Sequence, residues 1–137
     1  MNFLVDTNVL SEPRQKRPNS KVVQWLRENE ANLYTSVLVI GELRYGIERL
    51  PPSRRRESLE IWLEHLTQIM HGRILSINLR IVEEWARLLN EVESRGHVLP
   101  LVDGLIVATA RRHQLTIATA NVRDFEASGV RLVNPFD

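Results

Sequence analysis

The chain has 137 residues, enough for one domain with a single core, and its 43% hydrophobic and 26% charged content is ordinary for a globular protein. It has no cysteine, which excludes disulfides and thiolate metal sites, and its net charge of +1 singles out no class of partner. No apolar run approaches a membrane span and no basic leader with a cleavage site opens the chain, so the expected setting is cytoplasmic with no membrane contact.

Phe3-Leu4-Val5 reads as a short buried strand that runs directly into Asp6. Asn19-Ser20 is a good cap pair for a helix over Lys21–Asn29, with Val22, Val23, Trp25 and Leu26 at helical spacing. Leu33-Tyr34-Thr35 reads as the second strand, and Ser36 caps a helix reaching Leu50, with Val37, Ile40, Leu43 and Ile47 on one face. Pro51-Pro52 breaks that helix. A longer helix is expected from Ser53 to Met70, burying Leu59, Trp62, Leu63, Leu66 and Ile69, with Gly72 closing it. Ile74–Ile77 gives strand three, Leu79–Ser94 an amphipathic helix ended by Arg95-Gly96, and Leu101–His113 a strongly apolar helix. Leu115–Thr119 and Val130–Val133 supply strands four and five. Strands alternating with helices over 1–137, with no linker or repeat, predict one α/β domain on a parallel sheet.

Charged residues are unevenly chosen. Sixteen arginines stand against two lysines, and two clusters, Arg14-Gln15-Lys16-Arg17 and Arg54-Arg55-Arg56, suit either a solvated surface or a rim that contacts phosphate. Among the acids, thirteen are Glu and only four are Asp, at 6, 103, 124 and 137.

Ligands of open α/β sheets gather outside the carboxyl ends of the strands. Asp6 ends strand one, Glu42 lies six residues past Ser36, Asp103 opens the helix before strand four, and Asn121 and Asp124 follow that strand. Four separate stretches therefore bring oxygen ligands to one rim. Carboxylates so gathered repel one another, and a hard divalent cation removes that penalty. Such a cation acts on a scissile phosphate as a Lewis acid and lowers the pKa of bound water, so phosphodiester hydrolysis needs no covalent nucleophile. Each acid also has an ordinary role open to it: Asp6-Thr7-Asn8 as a local turn or helix cap, Glu42 as an exposed helix residue, Asp124 as a cap. Asp103 fits a structural role least, since it interrupts an apolar helix. The four histidines show no ligand spacing, and Gly41 and Gly46 are isolated helix glycines suited to close backbone approach.

The segments D-T-N-V-L-S-E-P (6–13), G-E-L-R-Y-G (41–46), V-D-G-L-I-V-A-T-A (102–110) and T-A-N-V-R-D-F (119–125), with the terminal V-N-P-F-D, resemble PIN-domain ribonucleases of the VapC toxin type, in the FitB-like branch. The resemblance spans essentially the whole chain. It implies a three-layer α/β/α sandwich on a five-stranded parallel sheet in order 3-2-1-4-5, and cleavage of RNA dependent on Mg²⁺, with Mn²⁺ as a substitute. Carried over, Asp6 and Asp103 are principal metal ligands and Glu42 binds metal or orients water, while Asn8 and Thr119 brace Asp6 by hydrogen bonding. Related sequences can carry a further acid where this chain has Asn121, and Asp124 follows three residues later as the fourth catalytic acid. The resemblance also implies a homodimer and a small VapB-like antitoxin that lays an apolar helix into a groove between toxin helices and sends a basic side chain into the acidic cleft. Trp25, Tyr45, Leu50 and Trp62 are candidates for that groove, ordinary core packing being the alternative. Competing readings are a PIN-like RNA-binding or regulatory module with weakened catalysis, suggested by Asn121, and a nuclease directed at DNA. A signalling receiver domain expects adjacent acids after strand one and a late lysine, neither of which occurs.

Overall fold

The computed structural model describes residues 1–137. Phe3–Val5 forms β1 and is buried along its whole length, as a central strand of a parallel sheet must be. It pairs in parallel with β2 (Leu33–Ser36) on one side and β4 (Thr116–Ala118) on the other. The two-residue strands β3 (Ile74–Leu75) and β5 (Leu132–Val133) form the edges, giving the expected order 3-2-1-4-5. Both edges are shorter than the apolar runs that announced them, because Ser76-Ile77 and Val130-Arg131 lie outside the paired strands, although Arg131 O still accepts from Ile117 N–H at 2.9 Å. In register, Phe3 faces Leu33 and Thr116, and Val5 faces Ala118.

The helices are α1 (Thr7–Leu10), α2 (Ser20–Glu28), α3 (Val37–Glu48), α4 (Arg54–Ile69), α5 (Leu79–Ser94), α6 (Leu101–His113) and α7 (Val122–Phe125). Their starts follow the caps in the sequence: Asn19, Ser36, Ser53 and Asn78 each accept a hydrogen bond from a backbone N–H of the first turn. Gly72 and Gly96, at φ +85° and +79°, end α4 and α5 in the left-handed region that favours glycine. The helices pack as two groups, α1, α3 and α4 in one and α5, α6 and α7 in the other, and flank the sheet in an α/β/α arrangement.

Several side chains depart from the faces assigned to them. On α3 the buried residues are Val39, Leu43 and Ile47, whereas Val37 is exposed. Val37 opens the helix at the carboxyl edge of the sheet, where little covers it. On α4 Leu59 and Leu63 are buried, Trp62 and Leu66 partly so, and Ile69 is exposed. Nor do Gly41 and Gly46 mark close approaches, since a Cβ at either meets nothing within 4 Å. The close approach is at Gly104, where an added Cβ would stand 3.0 Å from Cδ1 and Nε1 of Trp85 on α5. That contact sets α6 tightly against α5, and Arg111 joins the same helices through Glu84 at 3.4 Å and Glu91 at 3.2 Å.

Candidate active site

The strand order reverses between β1 and β4, and the crevice outside their carboxyl ends is where a doubly wound sheet binds its ligand. Asp6 stands at that point. Its backbone N–H donates to Ala118 O at 2.9 Å, so the residue is still registered to the sheet when its side chain leaves it. The carboxylate is buried and held from three directions. Thr7 N–H donates to Oδ1 at 2.9 Å, while the Thr119 hydroxyl donates to Oδ2 at 2.9 Å and the Asn8 amide to the same oxygen at 3.2 Å. Asp6 is thus the N-cap of α1, and the turn reading and the site reading hold together in one residue. Asn8 also accepts from Ala120 N–H at 2.8 Å, and Thr119 Oγ1 accepts from Asn121 N–H at 3.0 Å. The loop after β4 is therefore tied to the end of β1 by the two residues that brace the carboxylate.

Glu42 reaches the crevice from the second turn of α3, and Asp103 from the first turn of α6. Glu42 is exposed as a residue, yet its carboxyl end loses enough water for its pKa to rise above 4.5. The negative charge of Asp6 raises it further, the nearby Thr7 hydroxyl offsets part of the rise, and Asp103 adds a smaller upward push. Thr7 Oγ1 itself is buried and short of hydrogen-bond geometry with any partner. The Asp103 pKa rises above 3.8 for the same leading reason, loss of water, then through the charges of Asp6 and Asp124. The four acids picked from the sequence consequently form one electrostatically linked set, in which Asp6 acts on both Glu42 and Asp103.

No ion pair compensates them, since the salt bridges of the molecule involve Arg56, Arg87 and Arg111 with other acids. The donor set is all oxygen, partly desolvated and mutually repulsive, which suits a hard divalent cation. No three carboxylates converge closely enough to form a closed set of ligands. Mg²⁺ commonly takes one or two carboxylates and keeps several waters, so such a set is not required. Asn121 is exposed at the start of α7 and makes no side-chain cap, whereas Asp124, inside α7, acts on Asp103 electrostatically. The negative charge on that side of the crevice comes from Asp124.

Of the groove candidates, Trp62 lines an apolar groove of about 430 Å³ between α2 and α4, with Val23, Leu26, Leu66, Ile69 and Met70. Trp25, Tyr45 and Leu50 do not line it. Trp25 packs edge-on against Phe3 with ring centroids 4.9 Å apart, Leu50 packs against the core, and Tyr45 is exposed with Arg49 5.4 Å from its ring centre. Only Trp62 of the four therefore belongs to this groove.

A parallel α/β/α sandwich in this strand order, with acids from β1, α3 and α6 at the switch point, defines a PIN-like class of fold. The PIN domain family model matches residues 3–129. Among curated relatives, toxin FitB of Neisseria gonorrhoeae is 34% identical, with 98% of each chain covered, and VapC ribonuclease Y4jK of Sinorhizobium fredii is 32% identical at the same coverage. The crystal structure of FitAcB from Neisseria gonorrhoeae superposes with a TM-score of 0.92 at 34% identity, covering 98% of each chain. The chain belongs to the PIN-domain family, in the group that includes the VapC and FitB proteins.

Proposed function

We propose that this protein is the toxin of a type II toxin–antitoxin pair, an endoribonuclease that hydrolyses RNA phosphodiester bonds with Mg²⁺ or Mn²⁺ in the acidic crevice. The observation that carries the reading is that the charge of Asp6 acts on both Glu42 and Asp103 at the carboxyl edge of β1, with none of the three in an ion pair. The naming of relatives as a toxin and a ribonuclease supports it. Asp6 and Asp103 would hold the metal, with Glu42 beside them. Bound there, the metal would polarise the scissile phosphate and lower the pKa of a coordinated water. The hydrogen bonds from Thr7, Asn8 and Thr119 fix the Asp6 carboxylate in one orientation before substrate arrives. Glu42 would bind the metal beside Asp6 and Asp103 or orient the water. Asp124 holds negative charge on the α7 side.

The antitoxin is assigned to the groove between α2 and α4, whose apolar lining suits one face of an amphipathic helix. The homodimer is assigned to the exposed apolar side chains next to the crevice, Val37, Tyr45, Leu101 and Val102, an arrangement that marks interaction surfaces. The test of the activity is incubation of the purified chain with single-stranded RNA, with and without Mg²⁺ or Mn²⁺, beside Asp6→Asn and Asp103→Asn. Cleavage is expected only with metal, and each variant should lose activity by about a hundredfold or more. Cleavage in the presence of chelator, or full activity in both variants, overturns the mechanism. Equal cleavage of single-stranded DNA would move the substrate class to nucleic acid in general.

A further inference from the structure

The arginine clusters at 14–17 and 54–56 lie about forty residues apart, yet the fold brings one member of each to the same place. Arg55 donates through Nη2 to the carbonyl of Arg14 at 3.2 Å, and Arg14 donates through Nη2 to Ser58 Oγ at 2.7 Å. Both line a cleft of about 250 Å³ whose walls also include Gln15, Thr7 and Glu42, so the cleft is continuous with the acidic site. Neither arginine has an acidic partner, although Glu12 and Glu57 are near in sequence. Arg14 Nε is buried with no hydrogen bond at all. Two arginine side chains therefore line one cleft with no ion pair to either, Arg14 with an unused buried donor, and Glu42 on the far wall marks where the cleft meets the acidic site. Arg56 differs: it pairs with Glu60 at 3.7 Å and donates to Leu50 O at 3.0 Å, which ties it to the end of α3. Guanidinium forks match phosphate oxygens in geometry, and a phosphate would supply the ion-pair partner that both arginines lack.

We propose that Arg14 and Arg55 form a phosphate-binding subsite that grips a backbone phosphate of the RNA next to the scissile one. The proposal rests on the ribonuclease reading for its substrate, but not for its anion chemistry. The subsite sets how the strand enters the crevice and contributes affinity without taking part in bond breaking.

Two measurements test it on the full chain. The first is thermal melting in EDTA with inorganic pyrophosphate as the probe. The parent's melting temperature should rise by about 3–6 °C at tenfold excess over the dissociation constant. Arg14→Gln/Arg55→Gln should lose the response, and Arg14→Lys/Arg55→Lys should keep part of it. The second is binding of a labelled single-stranded oligoribonucleotide in the Asp103→Asn background across salt concentrations. The Gln pair should weaken binding roughly tenfold and lower the slope of log K against log salt by about 0.7 for each phosphate no longer neutralised. With Asp103 intact, the Gln pair should raise KM and leave kcat within about twofold, the pattern of weakened ground-state binding. No pyrophosphate response in the parent, or an unchanged response and salt slope in a folded Gln pair, overturns the subsite. A parent that responds to pyrophosphate through these arginines but cleaves no RNA overturns the ribonuclease reading and leaves the subsite standing.

Discussion

Asp103 and Glu42 make the acidity of the crevice measurable in the fold itself. Both pKa values stand above their ordinary 3.8 and 4.5, because water is partly removed and Asp6 faces them. Between the ordinary and the raised value, the folded chain keeps protons that the unfolded chain has already released. The contribution of these groups to the stability of the metal-free protein therefore falls as pH rises through that window and stays low above it. Asp103→Asn should raise the melting temperature of the metal-free protein at neutral pH and flatten this part of its pH dependence. It should also reduce the stabilisation that Mg²⁺ gives. A melt with the parent's pH profile and metal response would count against the cluster. Asp6 was legible in the sequence because a strand ran straight into it. Its dual role was less so, because deciding between a cap and a ligand requires seeing Thr119 and Asn8 arrive at the same oxygen. Asp124 was named from the sequence as the acid on the far side of the crevice, but its action on Asp103 shows only once α7 is folded beside α6.

Helix periodicity and capping placed the boundaries of α2 to α6 to within a residue or two, since Asn, Ser and Gly stand where the chain has to enter or leave a helix. It placed the faces less well at the helix ends. Val37 and Ile69 satisfy the spacing but lie where no layer covers them. The short helices α1 and α7 are single turns closed by site residues and carry no periodicity to read. Among the glycines, spacing alone could not separate the tight position from the loose ones, because the decisive partner, Trp85, comes from another helix. Gly104→Ala should cost about 1–3 kcal/mol in chemical denaturation by forcing α6 away from Trp85. Gly46→Ala, with nothing near its Cβ, should instead stabilise by about 0.5–1 kcal/mol as the better helix former. Equal effects at the two sites would refute this account of the packing of α5 on α6.

The molecule divides its surface by chemistry. Acids occupy the crevice, arginines the recess leading into it, and exposed apolar residues the rim formed by α3 and the start of α6. The convergence of the two arginine clusters was invisible in the sequence, because a separation of about forty residues carries no information about which loop turns toward which helix. If the rim is the dimer surface, Tyr45→Glu should shift the protein to monomer in sedimentation velocity or light scattering without lowering its melting temperature. A dimer that persists in this variant would place the interface elsewhere.

The two-residue strands at the margins of the sheet have a consequence for what can attach to this protein. An extended peptide that docks by adding a strand needs a run of free backbone donors and acceptors, and β3 and β5 offer scarcely any. Recognition by other polypeptides is then expected to use the helices, where specificity would reside in side chains rather than in backbone. Capture by unrelated extended segments should accordingly be weak, and a partner would have to match the side chains that the helices present.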